Sequence, residues 1–175
     1  SALSKEAAEF FDSIGILILQ GYGMTEASPV ISVNRLDNNE FGTVGPPLEN
    51  VSIKIADDCE ILVQGENVML GYFKNEKETS EMIINGWLHT GDIGRIENGM
   101  LKITDRKKTL IKTAAGKYIS LTHIEENLER SEYISQVISF ASDHRDFVTA
   151  IIVPDTDMLE ALARKLDIKY NSISE

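Results

Sequence analysis

The chain opens on a helical pattern. Ala7, Ala8, Phe10 and Phe11 share one side of a segment that Ser4 can cap, and an unbroken apolar run from Ile14 to Leu19 follows with the length of a buried strand. A helix feeding a strand reads as the tail of an α/β unit. Such a strand normally needs neighbours and helices on both faces, so its partners are expected upstream of Ser1.

From Phe41 to Ile103 the apolar positions regroup into short alternating runs, Val51-Ser52-Ile53-Lys54-Ile55 and Glu60-Ile61-Leu62-Val63, broken at Pro46-Pro47, Asp57-Asp58-Cys59 and Gly65. This is the pattern of a small antiparallel β-subdomain. A short helix over Glu76 to Ile83 interrupts it. Gly86-Trp87-Leu88 follows, then strands around Ile93 to Ile96 and Met100 to Ile103, joined by a turn at Glu97-Asn98-Gly99.

Beyond Asp105 helix and strand signals alternate. Thr122-His123-Ile124-Glu125 has the form of a capping box, strands are expected at Ser135 to Ala141 and Val148 to Val153, and Asp155 opens a last helix carrying Met158, Leu159, Leu162 and Leu166. The predicted fold class is therefore α+β. The boundary falls near Asp105, dividing the chain into residues 1–104 and 105–175.

Composition narrows the partners. The 175 residues, 42% of them hydrophobic, can bury a core. No apolar segment approaches the roughly 20 residues that cross a bilayer, and the first residues lack the layout of a secretory signal, so a cytoplasmic setting is the default expectation. The net charge of -11 opposes binding to nucleic acid or anionic lipid. Cys59 has neither a disulfide partner nor Cys or His residues at metal-ligand spacing. One basic cluster offsets the acidity, Arg106, Lys107, Lys108 and Lys112, and by itself it reads as a solvated face.

Candidate chemistry starts at Gly21-Tyr22-Gly23-Met24-Thr25-Glu26, directly after the first apolar run. A flat ring can stack on a base, glycines let backbone amides approach an anion, and a carboxylate can hold a magnesium ion that bridges phosphates. Taken alone, the hexapeptide is equally an ordinary Gly-x-Gly turn with a half-buried packing ring.

Three further segments change that balance: Gly42-Thr43-Val44-Gly45-Pro46-Pro47, Gly86-Trp87-Leu88-His89-Thr90-Gly91-Asp92, and Asp105-Arg106-Lys107-Lys108 leading into Leu110-Ile111-Lys112. In this order, over nearly the whole chain, they resemble the adenylate-forming superfamily of acyl-CoA synthetases, luciferases and peptide-synthetase adenylation domains. Thr25-Glu26-Ala27-Ser28-Pro29-Val30 and Ile103-Thr104-Asp105-Arg106-Lys107-Lys108 look most like its long-chain fatty acid-CoA ligases.

The resemblance implies the acetyl-CoA synthetase-like fold: the end of a large domain with its β-subdomain, then a small mobile C-terminal domain. It implies ATP, magnesium and coenzyme A as cofactors, and a fatty acid as substrate. Gly21, Tyr22, Gly23 and Met24 would form the adenine segment with Tyr22 stacking on the base. Thr25 would bind phosphate oxygen, Glu26 would coordinate magnesium, and Asp92 would accept bonds from both ribose hydroxyls. Arg106 would contact the nucleotide and Lys108 would be the hinge. Lys112 would approach the adenylate or the CoA phosphate, with Gly116 beside the pantetheine tunnel and Tyr118 as an aromatic gate. An Asp in a type I turn is the plain alternative for Asp92, and a packing or surface residue the plain reading of His89.

The chain departs from the family pattern in places. The Ser/Thr/Gly-rich phosphate loop would precede Ser1 and the adenylation lysine would follow Glu175. The expectation is thus a fragment of an enzyme about three times longer, inactive alone and with sheet edges able to self-associate. Thr113-Ala114-Ala115-Gly116 stands where the family has Ser-Gly-Gly, Cys59 replaces a turn glycine, and Leu121 stands where proline is common. Alternatives are a ligase for an acyl carrier protein or an aromatic acid, and a noncatalytic nucleotide-binding module. Membrane contact is at most peripheral.

Overall fold

The computed structural model describes residues 3–112, 118–141 and 147–168. The chain divides into two compact units, Ser1–Lys107 and Lys108–Glu175.

In the first unit, helix α1 (Lys5–Ser13) starts where the Ser4 side chain accepts a bond from the Ala7 amide at 3.2 Å. The run Ile14 to Leu19 is not the expected buried strand. Ile14 and Gly15 form the turn that ends α1, the residues after them up to Leu19 join no ladder, and Ile14, Ile16, Leu17 and Leu19 are exposed. Apolar composition alone does not make a strand; pairing does, and no described strand lies alongside to accept its backbone groups.

Strands β1 (Gly21–Gly23) and β2 (Val30–Val33) form an antiparallel hairpin. The rest of the unit is a five-stranded antiparallel sheet of β3 (Val51–Ile55), β4 (Glu60–Gly65), β5 (Ile83–Ile84), β6 (Trp87–Glu97) and β7 (Met100–Arg106). Strand β4 lies between β3 and β6, while β5 and β7 pair with successive parts of β6. Helix α2 (Glu76–Met82), capped by Asn75, leads into β5. Two Asn-Gly pairs make the tight hairpin turns of β6. Asn85-Gly86 and Asn98-Gly99 both hold positive φ at each residue, the conformation that matches the twist of flanking strands. Cys59 has φ +67°, so the position expected to favour glycine does adopt a left-handed backbone.

Ala27, Ile31, Val44, Ile61, Val63, Leu88 and Leu101 form the buried core of this unit. The Gly42-Thr43-Val44-Gly45 motif serves this packing. The Val44 amide donates to Leu101 O at 2.8 Å, the Leu101 amide donates to Gly45 O at 2.9 Å, and Asn34 Nδ2 donates to Thr43 O at 2.8 Å.

Among the described residues the second unit holds two separate two-stranded sheets, β8 (Leu110–Lys112) with β9 (Tyr118–Ser120), and β10 (Ile134–Phe140) with β11 (Thr149–Pro154). Helix α3 (Leu121–Glu129) is capped by Ser120, whose Oγ accepts the His123 amide at 3.0 Å. The expected Thr122–Glu125 capping box is therefore corrected by two residues. Glu125 Oε1 instead accepts from Ser139 Oγ and the Ser139 amide on β10 at 2.8 and 2.6 Å. Leu121 becomes the first helical residue, the position that suits proline. Helix α4 (Thr156–Lys165) begins at the expected Asp155 cap, which accepts the Met158 amide at 3.0 Å.

Candidate active site

The hexapeptide spans β1 and the start of a 3₁₀ turn, Thr25–Ala27, that closes the β1–β2 hairpin. Met24 donates its amide to Pro29 O at 2.8 Å, and Ser28 ends the turn with φ +51°. Fully buried Ala27 drives the turn into the core, which leaves Thr25 exposed and Glu26 half-buried at the tip. Beside this hairpin lies an open depression of about 290 Å³, lined by Gly21, Tyr22, Gly23, Pro29, Val30 and Val33.

Asp92 sits in β6 rather than in a free turn, at a bulge. Between the paired residues Glu60↔Ile93 and Leu62↔His89, the three residues Thr90, Gly91 and Asp92 oppose the single residue Ile61. Bulges break the ladder and re-aim side chains, and the freed groups find side-chain partners here. Thr90 Oγ1 donates to Ile61 O at 2.8 Å and accepts the Asp92 amide at 3.1 Å, while the Gly91 amide donates to Glu60 Oε1 at 2.9 Å.

The bulge brings three expected residues together. The Tyr22 hydroxyl donates to Asp92 Oδ2 at 2.6 Å, and Arg106 Nε lies 3.1 Å from Asp92 Oδ1. Arg106 is directly opposite Asp92 in the β6–β7 register. Asp92 is 7% exposed, whereas the Arg106 side chain is 77% exposed and reaches toward solvent. Burial pushes the Tyr22 phenol well above its ordinary value, and the bond to Asp92 adds to it. Asp92 still has capacity, because each carboxylate oxygen carries two lone pairs and uses one here.

Glu26 lies in another part of the hairpin tip. Its Oε1 accepts the Tyr72 hydroxyl at 2.8 Å, and its backbone carbonyl accepts the Met69 amide at 2.8 Å. Among the described residues no group of three His, Cys, Asp or Glu side chains is placed to hold a metal. A magnesium ion that keeps several waters and takes phosphate oxygens needs only one or two protein carboxylates, and Glu26 with its second oxygen outside the Tyr72 bond fits that donor set.

The bond to Glu26, with some burial, raises the Tyr72 phenol from 10.0 to about 12. The folded state favours the neutral phenol. This stabilisation is therefore fully present below pH 10.0 and is lost as pH rises to about 12. An NMR titration of the Tyr72 ring should give a midpoint near that upper value, and Glu26→Gln should bring it back toward the lower one. An identical midpoint in both proteins would refute the coupling.

Sequence reasoning missed Tyr72 altogether, because nothing in Gly71-Tyr72-Phe73 marks a partner 46 positions away. It also missed the surroundings of Glu60. That carboxylate is 4% exposed at the start of a buried strand and contacts His89 and Lys107. A charged residue heading the apolar run Ile61-Leu62-Val63 was the available signal. His89 is half-buried, with Nδ1 2.9 Å from Glu60 Oε2. Lys108 falls in the 3₁₀ turn Lys107–Thr109, Lys112 ends β8 and Tyr118 begins β9. Gly116, with Thr113, Ala114 and Ala115, lies outside the described residues.

A family model described as AMP-binding enzyme matches residues 1–73. A long-chain-fatty-acid-CoA ligase of Mycobacterium bovis is 38% identical over 159 residues, 90% of this chain and 26% of its own length. Long-chain-fatty-acid-CoA ligase 1 of Saccharomyces cerevisiae is 37% identical, covering 96% of this chain and 26% of its own. The chain thus spans about a quarter of the length of the curated relatives it matches. Among solved structures, o-succinylbenzoate CoA synthetase of Bacillus subtilis with its acyl-adenylate intermediate gives a TM-score of 0.79 at 26% identity, covering 98% of this chain and 39% of that one. The same enzyme with ATP and magnesium gives 0.75 at 29% identity, with coverages of 93% and 38%.

Proposed function

The chain belongs to the AMP-binding family of adenylate-forming enzymes, and from that premise we propose that it is the nucleotide-holding part of an AMP-forming long-chain fatty acid-CoA ligase. The observation that carries this reading is the convergence of Tyr22 and Arg106 on the two oxygens of Asp92. In the proposed reaction a fatty acid carboxylate oxygen attacks the α-phosphorus of ATP, and the bond to pyrophosphate breaks. The CoA thiol then loses its proton and attacks the acyl carbon, and the acyl-oxygen bond to AMP breaks. Asp92 accepts the ribose hydroxyls on its remaining lone pairs. The Tyr22 ring borders the adenine, Arg106 offers positive charge beside the nucleotide, and Thr25 is exposed to bond a phosphate oxygen. Glu26 would hold the magnesium, whose chemistry is to neutralise phosphate charge.

Residues 1–104 serve in this reading as the C-terminal part of the large domain and 105–175 as part of a mobile domain. The roles of Lys108 as hinge, and of Lys112, Gly116 and Tyr118 toward CoA, rest on their motif positions alone. Fatty acid and CoA are the substrates. The relatives' names favour them over carrier-protein or aromatic-acid chemistry. Among the described residues no helix is long and apolar enough to cross a membrane; the setting proposed is cytoplasmic, with at most peripheral membrane contact because the net charge of -11 opposes anionic lipid.

Isotope exchange between ATP and pyrophosphate tests the proposal. A full-length protein containing this chain should exchange only when long-chain fatty acid is present, and the 175-residue chain should give background alone. Exchange supported by aromatic acids but not by fatty acids would overturn the substrate assignment. The exposed apolar run Ile14 to Leu19 supports self-association of the isolated chain; light scattering that finds only monomer at high concentration would reject it.

A further inference from the structure

Resting on the reading of Asp92 and Arg106 as nucleotide contacts, we infer that Glu60 is a positioning residue, one that locks the Asp92 bulge and the Arg106-Lys107 segment in a single register. Glu60 lies outside the segments that carry the family resemblance. The inference comes from what its two oxygens touch.

Glu60 is 4% exposed, and a carboxylate removed from water is costly unless it is paired and hydrogen-bonded. Its Oε1 accepts the Gly91 amide at 2.9 Å, while Oε2 lies 2.9 Å from both His89 Nδ1 and Lys107 Nζ. Lys107 is held a second time by Asp58 Oδ2 at 2.7 Å. Burial acts to raise the Glu60 carboxyl, but the His89, Lys107 and Gly91 donors outweigh it and hold the group below its ordinary value. The bonds to Asp58 and Glu60 raise the Lys107 ammonium in turn.

An ordinary buried ion pair would explain the charge balance but not the choice of partners. Gly91 immediately precedes Asp92 and belongs to the bulge, where its amide faces the Glu60 side chain rather than a strand carbonyl. Lys107 immediately follows Arg106, which ends β7. One carboxylate therefore grips the neighbour of each member of the Asp92–Arg106 pair. Lost on either side, the grip would let the bulge or the strand end shift, and the two ribose-facing oxygens of Asp92 would lose their aim. Such small misplacements are felt strongly in binding sites.

The test uses the 175-residue chain with Glu60→Gln, Lys107→Met and Lys107→Arg. Lys107 is half exposed, so Lys107→Met keeps the stem and removes only the ammonium. Calorimetric titration with AMP and with 2′,3′-dideoxy-AMP reads the ribose contact, and hydrogen exchange at the Gly91 amide reads the bulge. Glu60→Gln and Lys107→Met should weaken AMP about tenfold, the loss of one charge-assisted bond, and leave the dideoxy nucleotide within about twofold. Gly91 exchange should quicken in both, and Lys107→Arg should restore the preference. Equal weakening of both nucleotides, or no change in either, would overturn the inference. If the unsubstituted chain shows no ribose preference, the nucleotide reading of Asp92 falls. Gly91 exchange then decides the inference alone: faster exchange in both variants supports it, and unchanged exchange rejects it.

Discussion

Asp92→Ala should lower the affinity of the chain for AMP about 100-fold, the loss of two charge-assisted hydrogen bonds worth roughly 3 kcal/mol together. The effect is large because Asp92 does three things at once. It is buried at 7% exposure, it accepts the Tyr22 hydroxyl at 2.6 Å, and it balances Arg106 at 3.1 Å. Removing it leaves a buried phenol without its acceptor. Asp92→Asn separates these contributions, since the amide keeps one acceptor oxygen for Tyr22 but offers the ribose a single acceptor and no charge. It should lose less affinity than Asp92→Ala and melt closer to the unsubstituted protein. The Tyr22 phenol should ionise at lower pH in both variants, because the carboxylate that disfavours its anion is gone, while burial still holds it above its ordinary value. AMP binding that survives Asp92→Ala within about threefold would remove Asp92 from the nucleotide site.

Local signals were legible wherever the physics that makes them is local. The Ser4 and Asp155 caps, the alternation along β3 and the Asn98-Gly99 turn all depend on residues within a few positions of each other, whereas Glu60 to Val63 of β4 are buried without alternation. The misreadings have a common cause. Thr122-His123-Ile124-Glu125 matches a capping box in spacing, but Glu125 is recruited by Ser139 on a strand 14 positions away, and Ser120 then supplies the cap. Ile14 to Leu19 has the composition of a buried strand, yet a strand is a relation between segments, and this one lacks a described partner.

The candidate site divides along the same line. Residue types marked Tyr22 and Glu26 as a ring and a metal-binding carboxylate, and the resemblance of the ordered motifs to adenylate-forming enzymes added Asp92 and Arg106. What could not be read was how those groups meet. The Tyr22–Asp92 bond joins positions 70 apart, and Tyr72–Glu26 positions 46 apart. Glu60 looked like the first residue of an apolar strand and nothing more. Only the three-residue bulge opposite Ile61 turns it into the acceptor for a displaced amide.

Gly23→Ala should be among the most damaging single substitutions, destabilising the first unit by ~3 kcal/mol or more and lowering its melting temperature by roughly 10 °C. The reason is backbone approach rather than conformational freedom. At Gly23 the β1–β2 register shifts, and the chain passes so close to Pro29 that an added Cβ would lie 2.7 Å from the Pro29 carbonyl carbon, 2.9 Å from Val30 Cα and closer still to Pro29 O. All three are backbone atoms, so no flexible side chain can yield. Relief requires the strands to part, which breaks the Met24–Pro29 bond that closes the 3₁₀ turn and pulls Ala27 from the core. Thr25 and Glu26 sit on that turn, so nucleotide and metal contacts should fail together with stability. Gly91→Ala is the informative contrast. Its Cβ would meet nothing within 4 Å, and only its φ of +71° opposes the change, a cost of about 1–2 kcal/mol. Thermal melts of the two variants should therefore differ clearly, with Gly23→Ala the lower. A Gly23→Ala protein that melts with or above Gly91→Ala would show that the hairpin can open without loss, and that the hexapeptide glycine is not set by the closeness of Pro29.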